Sequence, residues 1–144
     1  MKQFKIIFLM IAASMLLYGC PSTDDEHRYI IFVNNSDKEI GCQEFWSESI
    51  TSADTLIRCK TGIHGILPNS VHEFKSLSNS GWESDFKTIP YIQYSVVDIE
   101  AYDNYISAPC DTIRKYVPIL HIYKLTLEDL QRMNWTVVYP PSKK

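Results

Sequence analysis

The sequence predicts a mainly β fold: an antiparallel β-sandwich, or a β-rich α+β domain, with one short C-terminal helix between two strands. Three observations lead there. Runs of β-branched and aromatic residues are short and are separated by clusters of Asn, Asp, Ser, Pro and Gly. No repeat on the order of 20–50 residues recurs, which sets aside solenoids and propellers. One segment alone, Thr126-Leu127-Glu128-Asp129, carries a full helix-start signature.

From the N-terminal side, Arg28 to Val33 is β-branched and aromatic, and Asn34-Asn35-Ser36-Asp37 after it suits a turn. Lys38 to Phe45 is expected to return as the second strand of a hairpin, although Ile40, Cys42 and Glu44 do not alternate cleanly. Leu56 to Cys59 is ambiguous. Pro68 and Asn69 read as the centre of a turn. Val71 to Leu77 alternates without placing its apolar members on one face, which suits an edge strand. Tyr91 to Tyr102 reads as the longest strand, with Ile92, Tyr94 and Val96 on one face and a bulge near Val96-Val97. Ile119 to Leu125 is a further strand. Thr126 then caps a helix with Asp129 at its third position, Leu125 and Leu130 form a hydrophobic staple, and Asn134 ends the helix in a left-handed conformation. Trp135 to Tyr139 is a terminal strand stopped by Pro140-Pro141, so Leu125 to Tyr139 is expected to dock the C-terminus onto the sheet.

Ahead of this domain lies an address. Met1 to Lys5 is short and positive, and Ile6 to Leu17 is apolar but for Ser14. A membrane span needs about 20 apolar residues, so this segment fits the core of a secretion signal. Leu17-Tyr18-Gly19-Cys20 resembles the lipobox of bacterial lipoproteins; Tyr18 departs from the small or β-branched residue usual there. The resemblance implies cleavage after Gly19 and lipidation of Cys20. The expected organisation is then 1–19 signal, 20–27 lipidated Cys and acidic flexible tether, and 28–144 a single β-rich domain. Each buried methylene of the acyl chains contributes about 0.8 kcal/mol, and two or three chains anchor a protein that one would not. The acidic run Asp24-Asp25-Glu26 also resembles the surface-export signal of Bacteroidetes lipoproteins. The pieces Ile31 to Ser36, Ile66 to Ser70 and Leu125 to Pro140 look like a group of small uncharacterised Bacteroidetes lipoproteins, which implies an outer-membrane location, facing the periplasm or, preferably, the cell surface. Asp54-Thr55-Leu56 and Asp111-Thr112-Ile113 resemble the O-glycosylation pattern of that phylum, in which Thr55 and Thr112 would be the acceptors.

Composition narrows the function. The chain has 14 Lys and Arg against 17 Asp and Glu, a net charge of −3. Lys2 and Lys5 leave with the signal, so the exported part is more acidic by two. Such a balance disfavours nucleic acid as a partner. Cys42, Cys59 and Cys110 remain after Cys20 in a compartment that permits disulfides, which gives three single pairings. Cys42–Cys59 is the nearest in sequence, and its loop closure would contribute about 3 kcal/mol. Cys110, His121 and Asp111 offer the residue types of a nucleophile–base pair without a local signature. His64, His72 and His121 lack the spacing of a zinc site, so no metal and no cofactor are expected. Glu44, Glu48, Asp98 and Glu100 are acidic residues near strands, read as a solvated face. Trp46 and Trp82 are the candidate ligand-contact aromatics. The expected protein is a non-enzymatic, lipid-anchored module that binds or assembles with a surface protein complex. A glycan-binding accessory subunit of an uptake system and a cryptic hydrolase are the alternatives.

Overall fold

A computed structural model describes residues 26–46, 57–59 and 62–141. The expected signal, Cys20, most of the expected tether and Thr55 lie outside the described residues. The described chain is mainly β. Its strands are β1 (Tyr29–Asn34), β2 (Ile40–Trp46), β3 (Ile63–Ile66), β4 (Ser70–Lys75), β5 (Ile92–Asp98), β6 (Ile119–Leu125) and β7 (Thr136–Tyr139). Short helices are α1 (Trp82–Asp85), α2 (Ile99–Tyr105), α3 (Cys110–Tyr116) and α4 (Leu127–Arg132). The strands form a three-stranded sheet, order β4-β1-β7, and a four-stranded sheet, order β3-β2-β5-β6. All neighbours are antiparallel except β1 and β7, which run parallel.

The two sheets face each other across one apolar cluster. β1 contributes Ile30 and Phe32, β2 Ile40 and Cys42, β5 Ile92, Tyr94 and Val96, and the C-terminal segment Leu125, Leu130, Trp135 and Val137. Phe32 is its hub, with its ring edge-on to Phe74, Tyr94 and Tyr123 at centroid distances of 6.1, 5.7 and 5.8 Å. A second, smaller cluster lies on the other face of the four-stranded sheet. There Ile57, Val97, Tyr102, Ile113 and Val117 pack beneath α2 and α3. The sheet's central strands β2 and β5 are therefore covered on both sides, and this is why the apolar residues of Lys38 to Phe45 do not alternate. Gly41 belongs to that second face because a Cβ there would meet Ile63 Cδ1 at 2.5 Å and Val97 Cγ2 at 2.9 Å.

The expected hairpin between β1 and β2 does not form. β1 pairs with β4 and β7, while β2 pairs with β3 and β5, so residues 35–39 cross from one sheet to the other. Asn34 makes the crossing possible. It is fully buried, and its Nδ2 donates to the carbonyls of Lys38, Ile66 and Leu67 at 2.8, 3.0 and 3.1 Å. Its Oδ1 accepts from the Ser36 N–H and hydroxyl at 3.0 and 2.6 Å. The second crossing, β3 to β4 through Pro68 and Asn69, is thereby tied to the first. Asn69 has φ 53°, as its place in the turn requires.

The strand expected over Tyr91 to Tyr102 stops at Asp98. Asp98 caps α2 by accepting from the Ala101 N–H at 2.9 Å, and the bulge against β6 does fall at Val96/Val97. β4 lies at an edge, as its pattern suggested. The C-terminal reading holds for the helix and the docked strand, although Trp135, at φ 56°, precedes β7 instead of starting it. Thr126 and Asp129 form both halves of a capping box, Asn134 has φ 50°, and β7 docks beside β1. His27, assigned to the tether from sequence, is instead docked. Its N–H donates to Glu83 Oε2 at 2.8 Å and its ring stacks on Trp135 at 4.3 Å. Gly81 carries φ 101° at this point, where a Cβ would stand 2.8 Å from that of Glu26.

Candidate functional site

An open cleft of about 680 Å³ lies where one end of the sandwich meets α2. Four separate segments build it. The crossing from β1 to β2 brings Asp37, Lys38 and Glu39; the start of α2 brings Asp98, Glu100 and Asp103; β6 adds Leu120 and β7 adds Tyr139. Asn34 fixes the first segment, the Asp98 cap fixes the second, and the Asp98 N–H donates to the Pro118 carbonyl at 3.1 Å, which ties α2 to the start of β6. Five acidic residues and one lysine therefore line it. Such a surface attracts cationic groups. From sequence, Asp98 and Glu100 were visible only as acidic residues near a strand. Asp37, Glu39 and Asp103 were missed, because nothing local links residues this far apart in the chain.

The acid with the most altered chemistry lies elsewhere. Glu44, on β2 at the rim of the inter-sheet cluster, pairs across the sheet with Tyr94 and accepts its hydroxyl hydrogen bond at 3.1 Å. Burial raises the Glu44 carboxyl to about 7, against the lowering effects of Tyr94, the Trp46 side chain and the charge of Arg58. Burial likewise pushes the Tyr94 hydroxyl and the neighbouring Cys42 thiol well up. None of these groups lines the cleft, so the perturbed acid and the open concavity are separate features. Glu48 lies outside the described residues.

The cysteine expectation is corrected. Cys59 pairs with Cys110, with Cα atoms 5.4 Å apart, and Cys42 is a free, buried thiol. Cys42 points into the inter-sheet cluster while Cys59 packs against the cluster beneath α2 and α3, so the sheet itself separates the pair nearest in sequence. Cys110 is thus bonded through its sulfur and is no nucleophile for His121, which sits edge-on to Tyr123 at 4.4 Å.

The other candidates fall as follows. Trp82 is completely buried, with its indole N–H directed at the Phe74 carbonyl at 3.4 Å; it is a core residue and not a ligand platform. Trp46 is half-buried and packs against the same core. Thr112 is not in a loop: it lies in the first turn of α3, its N–H donating to the Pro109 carbonyl at 2.9 Å, with Ile113 beside it fully buried. His64 and His72 come together from the two sheets, with ring centroids 4.6 Å apart, and burial and the neighbouring His64 lower the pKa of His72. Among the described residues no three His, Cys, Asp or Glu side chains gather into a metal-binding group, and no helix is long and apolar enough to cross a membrane. No protein-family model, curated protein or solved structure matches the chain.

Proposed function

We propose that the chain is an exported lipoprotein, fastened to the outer membrane through Cys20, whose domain binds a partner at the cell surface rather than turning over a substrate. The observation that carries the binding half is a division of labour among the polar groups. Inside the protein, Asn34, Gln43, Asp85 and the Cys59–Cys110 bond each hold two segments of chain together. Glu100 and Asp103 are instead exposed and line an open cleft. Charged residues that line an open concavity suit recognition. An acid, a base and a nucleophile within hydrogen-bond reach of one another would suit turnover.

The lipobox carries the anchoring half. With Cys20 in the bilayer, the residues up to His27 allow the domain to stand off by at most about 25 Å. A glycan-binding role is not favoured, because Trp82 cannot offer its face to a sugar.

Two measurements test the proposal. Cells grown with labelled palmitate should yield a labelled protein in the outer-membrane fraction, and Cys20→Ala should remove both the label and the fractionation. The purified full protein should show no turnover across a broad panel of ester, glycoside, peptide and phosphoester substrates. Turnover abolished by Glu100→Gln would refute the binding reading.

A further inference from the structure

The four strands that end the two sheets are not equally protected, and the difference identifies a docking edge. An exposed edge presents unpaired backbone N–H and C=O groups, and proteins blunt it with charge, shortness or a cover. On one side of the sandwich, β4 carries exposed Glu73 and Lys75, and β3 has only four residues. On the other side, β7 also has four residues, and its Val138 carbonyl accepts the Tyr123 hydroxyl at 2.7 Å. β6 differs from all three. It has seven residues, exposes Ile119, Leu120 and Ile122 at 37, 42 and 38%, and places its one lysine, Lys124, over the Tyr91 ring. Its bulge is confined to Leu120, so His121 to Leu125 stay in unbroken register with β5. Among the described residues no strand lies beyond it.

We propose that β6 accepts an extended, cationic segment of a partner protein as an added strand, whose basic end enters the acidic cleft. This deepens the binding reading above and is independent of the anchor. Charge complementarity selects the occupant. Leu120, near the N-terminal end of β6, lines the cleft together with Glu100 and Asp103, so a strand laid along β6 ends beside those two acids. Backbone hydrogen bonds along His121 to Leu125 supply affinity that is tolerant of sequence, and the cleft supplies the preference for Lys or Arg. A second copy of this chain fits poorly. It is itself acidic, with 17 Asp and Glu against 14 Lys and Arg, so two copies repel one another. The tether, with Asp24, Asp25 and Glu26, has the wrong sign.

The test uses the full processed protein in detergent micelles and three labelled nine-residue peptides. All share an alternating Val/Thr body. The first ends in Lys-Lys-Arg, the second in Glu-Glu-Glu, and the third is the first with alternate backbone amides N-methylated. The cationic peptide should bind, weaken with salt, and slow amide exchange in β6. Glu100→Lys with Asp103→Lys, and separately Ile122→Pro, should each weaken it by at least about tenfold. Val71→Lys on the opposite edge should leave it unchanged, and unmoved melting temperatures would show that each variant folds. Equal binding of the Glu-ended or the N-methylated peptide would overturn the proposal. So would β6 protection that appears on raising the protein concentration alone, since that assigns the edge to a second copy of this chain. If no peptide binds, strand docking is refuted, while the binding reading still answers to its own turnover test.

Discussion

The two faces of the four-stranded sheet are held by different physics. Among the described residues, the cluster around Phe32, toward the three-stranded sheet, includes fourteen buried residues, and the cluster beneath α2 and α3 includes five. The larger face is stabilised by area, since each aliphatic or aromatic side chain fully withdrawn from water contributes about 1.5–3 kcal/mol. The smaller face leans on specific bonds. Gln43 grips the backbone of Arg58 from both directions, donating to its carbonyl at 2.8 Å and accepting from its N–H at 3.0 Å, and the Cys59–Cys110 bond joins that segment to α3. Polar groups also differ between the faces. Gln43, Gln93 and Ser95 on the smaller face are uncharged, whereas the larger face has an acid, Glu44, at its rim. One face should therefore fail by loss of packing or by pH, and the other by reduction.

The sharpest break is Leu130→Asp. Leu130 is fully buried in α4, within the larger cluster, and a carboxylate there has no partner. The cost, about 5 kcal/mol, approaches the whole stability of a typical domain. Urea denaturation followed by circular dichroism should show no cooperative transition. A variant that still unfolds cooperatively would mean that α4 can lift away while the sandwich persists.

The smaller face is broken by Cys59→Ser with Cys110→Ser. The bond spans 51 residues, for which loop closure predicts a loss of about 4 kcal/mol. Hydrogen exchange should accelerate first in α2 and α3, with β1 and the inner pairing of β2 and β5 still protected. Uniform acceleration would show that the two faces are one cooperative unit.

What the sequence revealed follows the range of the interactions. The C-terminal segment was legible because the capping box closes within four residues and Asn134 ends its own helix. The single helix expected there was found, but three others were missed. α2 was hidden because Asp98 lies inside an apolar run and looks like a strand residue until its carboxylate is seen on the Ala101 N–H. The false hairpin has the same origin. Asn34 to Asp37 is a proper turn sequence, but what decides the path is the bond from Asn34 to carbonyls 32 and 33 residues away. The cleft drew on four segments and left no local trace. The cysteine pairing was illegible because sequence proximity says nothing about which side of a sheet a side chain takes.

The smallest of the expected effects tests the acid at the rim. Glu44 titrates near 4.5 in an unfolded chain and near 7 in the fold, chiefly through burial. A carboxyl whose folded value is raised stabilises the protein in its protonated form. Its contribution is complete below pH 4.5 and is lost as the pH rises through about 7. Discounted for partial exposure, the loss between pH 5 and 8 is about 2 kcal/mol. Asp129 acts in the opposite sense: the Thr126 N–H and hydroxyl lower its value, so its contribution is present above the usual carboxylate range and fades in acid. Urea midpoints of the parent should therefore decline from pH 5 to 8. Glu44→Gln should flatten that decline, because a carboxamide can still accept from Tyr94 and never ionises. It should also be more stable than the parent at pH 8, while Cys59→Ser with Cys110→Ser should lower the whole curve without changing its slope. If Glu44→Gln keeps the parent's slope, the pH sensitivity belongs to another group, and the larger face is held by packing alone.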